Sequence, residues 1–206
     1  MVDSPAVQHS LSRLGKARDA LARLESSTTL EAAESAWSDL LLAGNAIFSK
    51  LEQGSKANGK AASWFGRVKK ARKDDPLLSY MHHARNSYEH SIEDVTKRMG
   101  PGQATFTFFE PPDSKKMVGM KIRIDTASTP GQVRLWSSDE SVIKTKIYDK
   151  PEVALSIVNN SRYNVSFKPP TKHLGISLKD QSPITVGTLF IEYLARLIDD
   201  ARAFCV

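Results

Sequence analysis

The apolar residues of this chain keep a helical spacing over residues 6–98, abandon it, and resume it over 184–205. That order limits the available folds more than any single motif, because every amphipathic helix needs a partner for its apolar stripe. In the first helix Leu11, Leu14, Ala17, Leu21 and Leu24 recur at three- and four-residue steps. The second begins at Thr28, with Glu31 completing a capping box. Its apolar face runs Ala33, Ala36, Trp37, Leu40, Gly44, Ile47, Phe48 and Leu51, and Gly54-Ser55 ends it. A shorter basic helix carries Trp64, Phe65 and Val68. Asp75-Pro76 supplies an N-cap and a first-turn proline for a fourth helix. That helix is expected to reach about Arg98, where Gly100-Pro101-Gly102 stops it. The last segment places Val186, Leu189, Phe190, Tyr193, Leu194, Leu197, Ile198, Ala201 and Phe204 on a wide arc, the pattern of a well-buried helix.

The middle alternates instead. Thr105–Phe108, Lys121–Asp125, Lys144–Tyr148, Val153–Ile157 and Tyr163–Phe167 follow a two-residue period, the last two joined by Asn159-Asn160. Such segments read as antiparallel strands with one wet face. The expected fold is therefore α+β: a helical bundle of four N-terminal helices plus the C-terminal helix, interrupted by an antiparallel β region. The bundle comprises 6–98 and 184–205, and the β-rich insertion 103–180. The competing arrangement is two separate domains, with the last helix covering the sheet.

With 206 residues, 40% hydrophobic and 25% charged, the chain buries a core without metal or disulfide staples. The single cysteine, Cys205, excludes a disulfide scaffold and is expected as a buried small hydrophobe. No apolar run is long enough to span a membrane, and the first residues carry no signal-type apolar stretch. A cytoplasmic protein with no membrane partner is expected. The formal net charge is +6. One stretch is lopsided: Lys56, Lys60, Arg67, Lys69, Lys70, Arg72 and Lys73 have no acidic residue among them. It suits either a polyanion such as RNA or a plain solvated helix face.

The fourth helix carries the informative polar residues. With Leu77 set at zero on a 3.6-residue repeat, Met81, Ala84, Tyr88, Ile92 and Val95 fall within about 60° and form the core stripe. Glu89, His82, Glu93, Asn86 and His90 fall between about 120° and 220°, His83 near 240°, and Arg85 at the stripe's edge near 80°. Three of the five histidines, His82, His83 and His90, lie in this one stretch. His82, Asn86 and His90 are spaced i, i+4, i+8, yet HExxH spacing is absent and one helix face cannot close a coordination shell. No metal and no cofactor are expected. GxGxxG, GxxxxGK[ST] and GxSxG are also missing, which leaves small-molecule catalysis with little support.

Arg85-Asn86-Ser87-Tyr88-Glu89-His90 resembles the RX4-6H motif of HEPN domains, in the form where Asn follows the Arg. HEPN domains are bundles of four to five helices with the motif on a late helix, and the resemblance covers residues 6–98 and extends to 184–205. Many catalytic members carry a Tyr two residues after the His, where Ile92 stands here. The segments Asp75–Tyr80 and Pro169–Gly175 also resemble bacterial proteins with a similar bundle.

The resemblance implies a metal-independent endoribonuclease. His90 would act as general base or acid, Arg85 would hold the phosphate oxygens, and Asn86 would orient His90. The RNA's own 2′-hydroxyl would be the nucleophile. Two protomers would pair across this helix, so the expected partners are a second copy of the chain and single-stranded RNA. Lys69, Lys70, Arg72, Lys73 and His82 are the candidate substrate contacts. The alternative is a non-catalytic HEPN-like binding or regulatory protein. Trp136, beside Arg134, is read as hairpin packing or as a base-stacking surface, and His173 joins the site if the last helix packs beside the fourth.

Overall fold

The computed structural model describes residues 4–90, 94–100, 104–109, 142–147, 151–160 and 165–205. Among them it shows a helical α+β fold. The helices are α1 (Pro5–Ser26), α2 (Leu30–Ser55), α3 (Gly59–Asp74), α4 (Pro76–His90) and α5 (Pro183–Ala201). The strands are β1 (Thr96–Met99), β2 (Ala104–Phe109), β3 (Val142–Ile147), β4 (Glu152–Leu155), β5 (Val158–Asn160), β6 (Val165–Phe167), β7 (Lys172–His173) and β8 (Ile176–Ser177). They form two-stranded sheets, β1 with β4, β2 with β3, β5 with β6 and β7 with β8.

The chain divides into two compact units. One comprises residues 1–97 and 153–206, the other 98–152. The β5–β6 and β7–β8 hairpins, grouped with the 103–180 insertion in the sequence, thus lie in the same unit as the helices. In the smaller unit β2 and β3 pair antiparallel, with Phe106 opposite Thr145 and Phe108 opposite Ile143.

Each helix of the bundle starts where its chemistry allows. Thr29 Oγ1 accepts from Ala32 N at 3.2 Å, so the cap of α2 is Thr29 and not Thr28. Asn58 caps α3 through Ala61 N at 2.8 Å, and Ser182 caps α5 through Thr185 N at 3.2 Å. Each cap satisfies a backbone donor that the helix leaves open. α1 packs chiefly on α2, and α5 packs on α1, α2 and α4. The expected α2 face is buried throughout. In α1 the buried side is Val7, Ser10, Leu14, Ala17, Ala20 and Leu24, while Leu11 is exposed. No helix among the described residues is long and apolar enough to cross a membrane.

Other expectations change as well. α4 ends at His90 rather than near Arg98, and Thr96–Met99 is a strand. Val95 is buried, as its helical spacing suggested, but in the bend before β1, where its carbonyl accepts from Ser156 N at 3.1 Å. A β-branched pair, Val95-Thr96, followed by two exposed cations suits a strand as well as a helix. Tyr88 shares the core meridian but lies in the last turn of α4 and is 46% exposed. Burial instead spreads sideways to Leu78, Tyr80 and Ser87. Asn159-Asn160 is not a turn: Asn159 pairs with Ser166 and Asn160 with Val165 across β5–β6. The strand expected at 121–125, Ile92, and Arg134 and Trp136 lie outside the described residues.

Gly44 shows how tightly α2 and α5 meet. A Cβ there would fall inside the van der Waals radius of the Phe190 ring. Gly187 on α5 has Leu40 Cδ1 only 3.1 Å from its own Cβ position. Elsewhere in a helix, glycine to alanine stabilises by up to ~1 kcal/mol. At this crossing the sign reverses. Gly44→Ala is expected to lose about 1–3 kcal/mol through overpacking, read as a fall of several degrees in Tm by circular dichroism. A variant that melts with or above the wild type would show that the helices are not in this contact.

Candidate functional site

The site is built on α4, whose start is fixed by Asp75. Its Oδ1 accepts from Leu78 N at 2.9 Å and from His173 Nδ1 at 3.0 Å, and its Oδ2 from Leu174 N at 2.7 Å. Burial pushes the Asp75 carboxyl up, but the bonds from His173, Leu174 and Leu78 outweigh it and hold the group below its ordinary value. Asp75 is therefore an ionised, acceptor-only group, so the proton on the shared bond belongs to His173 Nδ1. Both residues are buried, and His173 Nε2 has no hydrogen-bond partner among the described residues.

One turn further on, three polar side chains form a row. Arg85 Nη1 donates to Asn86 Oδ1 at 3.1 Å, and Asn86 Nδ2 faces His82 Nε2 at 3.3 Å. With its oxygen taken by Arg85, the Asn86 amide presents N–H to the ring, so His82 Nε2 must be a bare acceptor. Arg85 also pairs with Glu89 through Nη2, the i, i+4 arrangement a helix favours. All three members of the row are half-buried.

Arg72 of α3 brings a second cation to bear on this row. Burial, then the charges of Arg72, His83 and Arg85, push His82 down to about 4. His83 is lowered by burial and by Arg72. Its ring lies flat on Phe167 of β6, 3.6 Å between centroids and 11° between planes, and meets His82 edge-on. Arg72 itself lies 4.9 Å over the Phe48 ring, partly desolvated.

Of the residues picked from the sequence, the structure brings Arg85, Asn86, His82 and Arg72 together. His90 is the last residue of α4; its side chain, and so its expected contact with Asn86, lies outside the described residues. Lys69, Lys70 and Lys73 are exposed on α3. Lys69 pairs with Glu52 of α2, so the acid-free stretch is partly neutralised by a neighbouring helix that its own sequence does not reveal. Sequence reasoning missed Asp75 as more than a cap, because Asp-Pro already had a sufficient explanation as a helix start. Among the described residues no group of His, Cys, Asp and Glu is arranged to hold a metal. Cys205 is buried, and burial pushes its thiol up. No family model, characterised protein or solved structure matches this chain.

The two lowered imidazoles make the site sensitive to acid. Their folded values lie below the unfolded value near 6.5, so below that pH the unfolded chain binds more protons. Their share of stability is complete above about pH 6.5 and is lost as pH falls toward 4. Asp75 and Asp180 are lowered from 3.8 and titrate in a lower window. Tm is therefore expected to drop between pH 6.5 and 4, with a shallower drop in His82→Gln. An NMR titration of the His82 ring with a midpoint near 6.5 would contradict the buried, cation-flanked environment.

Proposed function

We propose that this chain is a HEPN-like, metal-independent endoribonuclease acting at a groove between two protomers paired across α4. The observation that carries the reading is the hydrogen-bonded row Arg85–Asn86–His82 on the helix that bears the motif. A phosphodiester between Arg72 and Arg85 would supply an anion to a region whose cations now depress His82. Arg85 would bind the non-bridging oxygens through its planar fork of donors. His90 would take the proton from the 2′-hydroxyl as that oxygen attacks phosphorus. The bond to the 5′-oxygen breaks, that oxygen takes a proton from water, the proton held by His90 returns to solvent, and a cyclic phosphate end remains. Lys69, Lys70, Arg72 and Lys73 would hold the flanking backbone by charge, and His82, a neutral imidazole, through its remaining ring N–H.

A specific observation favours the non-catalytic alternative. Arg85 already has Glu89 and Asn86 as partners, which is how a structural polar cluster is built. Activity separates the two readings. Incubated with labelled single-stranded RNA in chelator, the protein is expected to cut it and leave cyclic phosphate ends. Arg85→Ala and His90→Ala are expected to abolish cleavage while Tm stays within a few degrees. Light scattering at micromolar concentration is expected to give twice the chain mass. Stable variants alongside a wild type that never cuts RNA would leave the binding role. Unfolding by His90→Ala would make that histidine structural.

A further inference from the structure

A concave surface on the bundle has none of Arg85, Asn86 and His82 in its lining. It is a groove of about 560 Å³ between α3 and α5, in the size range of small-ligand sites. Its walls include Tyr193 and Phe204, its flanks Arg67 and Arg196, and its rim Leu174 and Asp200. Trp64 backs Phe204 in a near-parallel stack, 5.4 Å and 13°. Neither arginine makes an ion pair with another described residue.

Two other features converge on the same groove. Leu174 has φ of 49°, a left-handed conformation that a leucine adopts at a cost, and it is 50% exposed. It is held there by the bond from its N–H to Asp75. The next residue back, His173, is locked to the same carboxylate and meets the Tyr193 ring edge-on at 5.8 Å. The buried Asp75–His173 pair thus fixes both an exposed apolar rim and an aromatic wall. Leu174 is not needed to close the core, since it faces solvent, whereas Tyr193 also packs on Phe48 and is thereby held rigid.

We propose that this groove binds an unpaired nucleotide of single-stranded RNA, its base against Tyr193 and Phe204 and its flanking phosphates on Arg67 and Arg196. The proposal rests on the RNA reading above and names a subsite for it. Aromatic surface stacks any base, and arginine on either side tracks a backbone whose charges repeat. Lys60 shares the face of α3 that holds Trp64, Arg67 and Ala71, at i, i+4, i+7 and i+11, so the positive track continues along the helix. Asp200 is the one acid at the rim, where it suits an exocyclic amine of a base. Asp75 and His173 are positioning residues, acting through Leu174 and Tyr193.

The test is fluorescence anisotropy of the full chain with a labelled 2′-O-methyl RNA oligomer, which cannot be cut through its own 2′-oxygen. Arg67→Ala with Arg196→Ala is expected to weaken binding about tenfold at moderate salt and to flatten the salt dependence by more than one phosphate's worth. Leu174→Ser, which leaves the charge intact, is expected to weaken the base-bearing oligomer and not an abasic oligomer of equal length. In cleavage assays the arginine pair is expected to raise KM and spare kcat. Wild-type affinity in the double variant overturns the proposal. So does equal binding of the abasic oligomer, which would reduce the groove to a charged surface. Displacement of the oligomer by poly-glutamate at equal charge overturns it in favour of an acidic protein partner. Groove-dependent binding without any cleavage of natural RNA would sink the ribonuclease reading and leave this one standing.

Discussion

The carboxylate of Asp75 is the contact on which the rest of the bundle's polar architecture depends. One side chain starts α4, receives the imidazole of His173 and anchors the backbone of Leu174, nearly a hundred residues further along the chain. Taking such a charge out of water is costly, and its three donors repay that cost only while all are in place. The arrangement is therefore all-or-none in character. If the β7–β8 hairpin lifts, Asp75 is left buried with one partner. If the cap is lost, His173 and Leu174 lose the group that holds them. The start of α4, the helix that carries Arg85, Asn86 and His82, is set by the same carboxylate as the rim of the α3–α5 groove.

The sequence made the helices legible because burial there follows one period. The α2 stripe from Ala33 to Leu51 was readable in full, since each residue on it has a single role in packing. The fourth helix was readable only while neighbours covered it. Tyr88 keeps the period, but the last turn of α4 leaves it in solvent. Val95 keeps the period as well, although it belongs to the bend before β1. Asn159-Asn160 looked like a turn by residue type, whereas β6 supplies ladder partners that no local rule can see. The candidate site divides the same way. Arg85, Asn86 and His82 are neighbours along one helix, so spacing placed them. Arg72 and Phe167 reach the imidazoles from other elements. Likewise the Asp75–His173 pair joins distant segments, and a pattern four residues long cannot report on it.

α3 illustrates how one amphipathic helix serves two polar faces. Arg72 turns toward α2 and α4, where it covers Phe48 and acts on His82 and His83. Arg67, five residues earlier, lies about 140° round the helix and flanks the groove beside α5. The apolar seam of Trp64, Phe65 and Val68 runs between these positions and fastens the helix to the bundle. A cation-rich helix whose one acid, Asp74, is its last residue is unfavourable by self-repulsion. Here the cost is offset locally, by Glu52 across the α2 contact and by aromatic faces under Lys69 and Arg72. Those partners are neutral rings or a single carboxylate, so most of the positive potential remains available outside the helix.

The ties already made by Arg85 bear on whether it can serve a phosphate. A guanidinium has five N–H donors in a rigid plane. Asn86 and Glu89 engage its two terminal nitrogens and leave the remaining donors uncommitted. Held at both terminal nitrogens, the plane loses rotamer freedom before any ligand arrives, so less entropy is lost when a phosphate is bound. The cost lies with Glu89, whose charge opposes an incoming anion. That opposition is countered from the other side of the row, where Arg72 acts on His82 and His83. A single arginine facing its own carboxylate would be a structural pair. A pre-aimed arginine with a second cation beyond the amide is an arrangement in which an anion still gains, and the hydrogen-bonded row on α4 supplies that geometry.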